Sequence, residues 1–278
     1  MGLLVGMTGA GGGSLMTPML ILLFGVTPTA AISSDLVAAV VMRPFGSAVH
    51  LRAGTVNRQL VLLLATGSIP AAFLGAYLLH LLGGSTAAKS HIETVLGAAL
   101  LVGAGAMVLR FTLDRRAGAH RSDEIHRLEV RPLLTVAVGI VGGVTVGLTS
   151  VGSGSLMIIM LLFVYPTISA KQLVGTDLTQ AVPLTLAAAV GSLIFGHVQF
   201  GVTSSLIIGS VPAVLIGSKL SASVPDRFIR PVIAFVIFAS GLKYVGVAPA
   251  TLGWILVVVL LGGATYIVVQ LRGGEGPP

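Results

Sequence analysis

Long apolar segments alternate with short polar breaks along the chain. Segments of about 20 predominantly apolar residues match the thickness of a bilayer core when they fold as helices. Such segments cover residues 1–24, 29–49, 58–82, 91–110, 132–165, 170–196, 203–222, 227–247 and 250–270. The breaks between them carry Pro, Gly or charged residues. The pattern therefore predicts an all-α polytopic membrane protein.

One longer polar stretch divides the chain into two parts. Residues 111–131 mix Arg with Asp and Glu, which is typical of a solvated linker. We expect a first transmembrane repeat at 1–110, a cytoplasmic linker at 111–131 and a second transmembrane repeat at 132–247. Residues 248–278 are expected to add one further C-terminal helix and a tail.

The two transmembrane parts share short motifs in the same order. The matched pairs are Gly13-Ser-Leu-Met16 with Gly154-Ser-Leu-Met157, Ser34-Asp-Leu36 with Thr176-Asp-Leu178, His50-x-x-x-Gly54 with His197-x-x-x-Gly201, and Gly67-Ser-Ile-Pro70 with Gly209-Ser-Val-Pro212. The spacings are 141, 142, 147 and 142 residues. Ordered recurrence at nearly one spacing indicates an internal repeat, as many transporter folds contain.

Segment 132–165 is long for a single crossing and contains a Gly- and Ser-rich break at 149–155. A hairpin that enters the membrane and returns fits this length, and it places the short loops rich in Lys and Arg on the cytoplasmic side of the inner membrane. Segment 1–24 has a similar break at 8–14. We therefore predict two inverted repeats, each with a glycine-rich, re-entrant hairpin plus three transmembrane helices.

Composition supports a membrane protein and excludes several other classes. The chain is 55% hydrophobic and 9% charged, with a mean hydropathy of +1.02, whereas soluble domains carry about 25% charged residues. The net charge of +7 fits cytoplasmic loops and lipid headgroups, so no nucleic-acid partner is expected. The chain has no Cys, and its six His residues form no metal-binding spacing, so no metal or cofactor is expected.

Neither an ATP-driven pump nor an enzyme finds support in the motifs. The glycine run at 9–14 lacks the Lys of a phosphate-binding loop, and no spacing indicates a Ser, His and Asp catalytic set.

The two glycine-rich breaks are the first candidates for a binding site. A helix that begins inside a bilayer exposes free N–H groups and a positive dipole end, which suit an anion. The candidate residues are Gly11, Gly12, Gly13, Ser14, Gly152, Ser153, Gly154 and Ser155. Close helix packing through small residues is the alternative interpretation.

Polar side chains within the apolar segments are the second candidates. Arg43 is a possible anchor for an anion, although a residue near the end of segment 29–49 could also extend its side chain to the interface. Thr176 and Gln180 add polar groups to the substrate-binding candidates.

Four further residues are candidates for coupling or gating. Asp35 and Asp177 occupy matched positions, where an intramembrane acid is functional or else stabilises a helix start. His50 and His197 could move protons or pack at the membrane interface.

These motifs resemble the sulfite exporter TauE/SafE family of membrane transporters. The resemblance rests on the paired Ser-Leu-Met breaks, Ser34-Asp-Leu-Val37, Gly175-Thr-Asp-Leu-Thr-Gln-Ala-Val-Pro183 and the Gly-Ser-x-Pro stretches, and it extends over about residues 1–247.

The resemblance implies a secondary transporter that exports small anions, such as sulfite or organosulfonates, by alternating access. An anion channel, a permease for another small solute and a non-transporting membrane assembly subunit are the alternatives. The expected partners are a small anionic substrate and the lipid bilayer, and a homo-oligomer is possible.

Overall fold

The computed structural model describes residues 13–82, 94–106, 108–109, 129–151, 154, 156–166, 168–220, 226–248, 251 and 254–255. Within these residues the helices are α1 (Gly13–Phe24), α2 (Pro28–Arg52), α3 (Arg58–Leu82), α4 (Thr94–Ala106), α5 (Pro132–Thr149), α6 (Leu156–Val164), α7 (Ala170–Phe195), α8 (Phe200–Leu220) and α9 (Asp226–Tyr244). The first arm of the predicted N-terminal hairpin, most of the linker and most of segment 250–270 lie outside the described residues.

The helices are those of a multi-pass membrane protein. In the described part of the chain, α2, α3, α5 and residues Gln172–Phe195 of α7 are long and apolar enough to cross a bilayer. Large apolar side chains such as Leu62, Leu133 and Ile194 are exposed on the outside of the bundle, as expected for a surface covered by lipid. The predicted all-α polytopic fold class is confirmed.

Local sequence signals start several of these helices. Asn57 precedes α3, and its Oδ1 accepts hydrogen bonds from the N–H groups of Gln59 and Leu60, both at 3.1 Å. Ser169 caps α7 by accepting from the N–H of Gln172. These side chains satisfy backbone donors that have no partner within the first turn of a helix.

Helices α3 and α5 pack closely because glycines let their backbones meet. A Cβ at Gly143 would lie 2.5 Å from the Ser68 carbonyl oxygen. Gly67 faces Val136 and Gly75 faces Val144, so the two helices run in parallel. Both therefore begin at the same end of the bundle, which we call the linker face because Arg131 at the end of the linker lies there.

Helix α2 runs antiparallel to α7. Ser34 near the start of α2 contacts Gln199, just after α7, whereas Ser47 contacts Thr179 in the first half of α7. Helix α3 runs parallel to α7, because Ser68 contacts Gln180 and the later residue Tyr77 contacts Phe195. The end of α2 and the start of α7 therefore lie at the linker face.

The chain reverses direction between α5 and α6. Helix α5 ends at Thr149, and Ser150 adopts a left-handed conformation with φ of 59°. Beyond α6, the Tyr165 hydroxyl accepts a hydrogen bond from the N–H of Arg131 at 2.8 Å and lies 2.6 Å from Thr135 Oγ1. The end of α6 thus returns toward the start of α5.

Helix α2 lies between two apolar clusters. One contains Ile32 and Leu36 of α2 together with Leu64 and Met157. The other contains Ala38 and Met42 of α2 and the residues Met16, Leu20 and Leu206 from α1 and α8. Because both sides of α2 are covered by protein, its polar side chains are held away from lipid.

Candidate functional site

The glycine-rich breaks are only partly described. Gly11, Gly12, Gly152, Ser153 and Ser155 lie outside the described residues. Gly13 begins α1 and is followed by Ser14 in its first turn, and Gly154 stands in a turn before α6 with φ of 89°. An anion site at these two helix starts therefore stays a prediction.

Asp35 is fully buried and connects three parts of the bundle. Its Oδ2 accepts hydrogen bonds from Thr17 Oγ1 of α1 at 2.9 Å and from Ser150 Oγ at 2.7 Å. Hydroxyl donors of this kind stabilise a buried carboxylate. Neither Thr17 nor Ser150 was among the predicted site residues, since their separations from Asp35 form no recognisable motif.

The backbone at Ser150 explains part of this arrangement. A left-handed conformation costs a non-glycine residue about 1–3 kcal/mol, and the sequence has a glycine, Gly9, at the position 141 residues before Ser150. Position 150 is a serine instead, and its hydroxyl is bonded to Asp35. The side chain at Ser150 therefore provides a contact that glycine would lack.

Arg43 lies deeper than the sequence suggested. Helix α2 continues to Arg52, which lies about 13 Å beyond Arg43 along the helix axis. The Arg43 side chain is only 7% exposed, and its Nε and Nη2 have no hydrogen-bond partner in the described part of the chain. The guanidinium is attracted electrostatically by Asp177 and Asp35. The buried position of Arg43 therefore does not fit the alternative in which its side chain extends to the membrane interface.

Two hydrogen bonds join the halves in a reciprocal way. The N–H of Asn57 donates to Thr176 Oγ1 at 3.1 Å, and the N–H of Gln199 donates to Ser34 Oγ at 3.1 Å. The two acceptors are 142 residues apart in the sequence, as are the two donors. The first bond lies at the linker face and the second at the opposite face.

Further polar side chains line the contact of α7 with α2 and α3. Gln180 Nε2 donates to Ser68 Oγ at 2.6 Å, and Ser47 Oγ donates to Thr179 Oγ1 at 3.2 Å. Asp177 and Thr176 are both almost completely buried. The structure thus buries Arg43, Asp177 and Asp35, and the two carboxylates are near enough to attract the guanidinium electrostatically.

The two predicted histidines lie at opposite faces of the bundle. His50 lies near the end of α2, where its Nδ1 is 3.0 Å from Thr55 Oγ1. His197 is exposed in the loop after α7, next to Ser33 and His80. At the 142-residue spacing of the two reciprocal bonds, His197 corresponds to Thr55 rather than to His50. No cluster of side chains suited to a metal ion occurs among the described residues.

Comparison with known proteins assigns the chain to a family. A family model described as "Sulfite exporter TauE/SafE" matches residues 1–244. A probable membrane transporter protein of Bacillus subtilis, YjnA, is 41% identical over 88% of this chain and 95% of its own length. A second from the same organism, YdhB, is 22% identical over 87% of this chain and 95% of its own length.

A probable membrane transporter protein of Xylella fastidiosa is 29% identical over 80% of this chain and 83% of its own length. No solved structure shows a significant match. The chain is a multi-pass membrane transporter, and it belongs to the sulfite exporter TauE/SafE family.

Proposed function

We propose that the protein is a secondary transporter that exports small sulfur oxyanions, such as sulfite or organosulfonates, and that Arg43 binds the anion. The observation that carries this proposal is the buried guanidinium of Arg43, which has two nitrogens without a hydrogen-bond partner among the described residues. A buried charged group with unused donors is costly unless a ligand or water satisfies it.

The chemistry of Arg43 suits an oxyanion. A guanidinium presents a planar fork of N–H donors that binds two oxygens of a carboxylate or phosphate at once, and a sulfonate or sulfite offers a comparable set of oxygens. The nearby carboxylates Asp35 and Asp177 hold the guanidinium by electrostatic attraction without using its Nε and Nη2 as donors. The family name adds support for sulfite as the substrate.

We further propose that the two halves are inverted repeats that alternate in exposing the site. The antiparallel course of α2 and α7, the return of α6 toward the start of α5, and the reciprocal bonds at Thr176 and Ser34 support this arrangement. One of the two reciprocal bonds lies at each face of the bundle. A state that breaks one bond and keeps the other would therefore expose the site to one side of the membrane only.

The linker face is proposed to be cytoplasmic. It carries Arg52, Arg58 and Arg131, whereas the loop 196–199 at the opposite face has no Lys or Arg. An inside-negative potential favours the exit of net negative charge by about 2.3 kcal/mol per charge per 100 mV. Export of sulfite would then need no further energy source.

Flux measurements in proteoliposomes test the proposal. Labelled sulfite and labelled methanesulfonate should enter or leave at a saturable rate, and each should inhibit the other. Arg43→Gln should lower the flux by at least about tenfold, because a charge-assisted bidentate contact is lost. Arg43→Lys should retain part of the flux, since it keeps the charge but lacks the planar fork.

A matched control separates binding from general damage. Arg58→Gln removes an exposed arginine at the linker face and should leave the flux unchanged. Wild-type flux in a well-folded Arg43→Gln variant would contradict the role of Arg43. Flux that does not saturate would indicate a channel, and no flux of either anion from the wild-type protein would remove the proposed substrate class.

A further inference from the structure

We propose that each anion crosses the membrane together with one proton, which Asp35 carries at Oδ1. This inference rests on the proposed anion transport, because it concerns what else must occupy the same site. It identifies the proton as a second transported ion, and it determines which anions the membrane potential can drive.

The first argument is the charge of the site. Among the described residues, the buried region holds one cation, Arg43, and two carboxylates, Asp35 and Asp177. With both carboxylates ionised, its formal charge is −1, and a monovalent anion would bring it to −2. Unbalanced charge in a water-excluded interior is expensive. A proton taken up with the anion restores the charge that the site has when empty.

The second argument is the geometry at Asp35, which singles out this carboxylate as the acceptor. Its Oδ2 accepts from both Thr17 and Ser150, whereas its buried Oδ1 has no hydrogen-bond partner among the described residues. Protonation at Oδ1 would convert this oxygen into a donor while both bonds to Oδ2 persist. The new O–H group could then donate to an oxygen of the anion.

Several other titratable groups belong to the elements around Asp35. The described helices α1 and α5 carry no titratable side chain. The remaining titratable residues of α2, of the elements that pack against it and of the loop after α7 are Arg43, His50, Arg52, Arg58, Tyr77, His80, Lys171, Asp177, His197 and Lys219. Arg43 is the cation whose attraction for Asp35 an incoming anion would weaken, so anion binding and protonation of Asp35 favour each other.

The transported charge follows from the proton balance. Asp35 takes a proton from solvent on the loading side, becomes a neutral carboxylic acid and returns the proton to solvent on the release side. A monovalent sulfonate would then cross without net charge. A divalent oxyanion such as the sulfite dianion would leave with one net negative charge, which the inside-negative potential still favours.

Methanesulfonate is the appropriate probe because it is monovalent and carries no titratable proton near neutral pH. In proteoliposomes of the wild-type protein, its flux should respond to a pH gradient, should ignore an imposed potential and should acidify the compartment that it enters. In Asp35→Asn, the remaining flux should follow the potential and move no protons. Potential-driven methanesulfonate flux without proton movement in the wild-type protein would overturn the inference and leave anion transport intact.

A binding measurement decides the question even if Asp35→Asn folds poorly. Calorimetry of methanesulfonate binding in two buffers of different ionisation enthalpy counts protons, and the wild-type protein should take up about one per anion. Glu129→Gln, which neutralises an exposed acid outside the site, should give the same count. Binding without proton uptake would overturn the inference, whereas absence of both binding and flux would also remove the proposed function.

Discussion

Ser150 Oγ donates a hydrogen bond to Asp35 Oδ2 at 2.7 Å, although the two residues are 115 positions apart in the chain. Ser150 caps the end of α5 in the second half, and Asp35 belongs to α2 in the first half. The contact therefore holds the end of α5 against α2, at the carboxylate that we propose to carry a proton.

Substitutions at Ser150 should separate the hydrogen bond from the backbone strain. Ser150→Ala deletes a donor to a charged group and should destabilise the protein by about 1.5–3 kcal/mol. Ser150→Gly deletes the same donor but relieves the left-handed conformation, so it should be about 1 kcal/mol more stable than the alanine variant. Reversible unfolding in detergent micelles measures both. Equal stability of the two variants would show that the strain at Ser150 is negligible.

The close approach of α3 and α5 gives a second prediction. A Cβ at Gly143 would lie 2.5 Å from the Ser68 carbonyl oxygen and 2.8 Å from its Cα, so Gly143→Ala should force the helices apart and cost about 1–3 kcal/mol. Gly105→Ala is the matched control, since the described structure leaves open space there. It should be neutral or slightly stabilising, because alanine favours helix. Equal effects of both substitutions would contradict glycine-mediated packing.

The fold class could be predicted from the sequence because a bilayer imposes a simple rule of length and apolar composition on each helix. The matched pair Ser34 and Thr176 was also visible, and both prove to accept reciprocal bonds. Their donors, Asn57 and Gln199, went unnoticed although they share the 142-residue spacing. Because a backbone N–H donor can belong to almost any residue type, only a search at that spacing would have found them.

The sequence placed Arg43 too close to the end of α2, because the predicted segment ended at residue 49 and the helix ends at Arg52. Gly54 has φ of 68°, and a glycine in this conformation commonly follows the last turn of a helix. That signal would have extended α2 to Arg52 and placed Arg43 deep in the bundle. The contacts of Asp35 with Thr17 and Ser150 could not be predicted, because they depend on how three separate elements meet.

The contact between α6 and α5 gives a third prediction. The Tyr165 hydroxyl accepts from the N–H of Arg131 and lies 2.6 Å from Thr135 Oγ1. Tyr165→Phe removes this hydroxyl and should lower the free energy of unfolding by about 1–3 kcal/mol, because the N–H of Arg131 loses its acceptor. Tyr77→Phe is the control, since it keeps the edge contact of its ring with Phe195. A Tyr165→Phe variant as stable as this control would show that the hydroxyl does not hold α6 in place.

The orientation of the protein in the membrane can be tested by cysteine labelling, because the chain contains no cysteine of its own. Ala53→Cys places a thiol in the exposed loop after α2 at the linker face, and Gln199→Cys places one in the exposed loop after α7 at the opposite face. Since the arginines lie at the linker face, the positive-inside rule puts that face in the cytoplasm.

A membrane-impermeant thiol reagent should therefore label Gln199→Cys in intact cells and Ala53→Cys only after the membrane is opened. The unsubstituted protein supplies a background without signal. The reverse labelling pattern would invert the proposed orientation, and the inside-negative potential would then drive anions toward the linker face rather than away from it. Labelling of both positions in intact cells would contradict the antiparallel course of α2 and α7 across the membrane, on which the proposed inverted repeat depends.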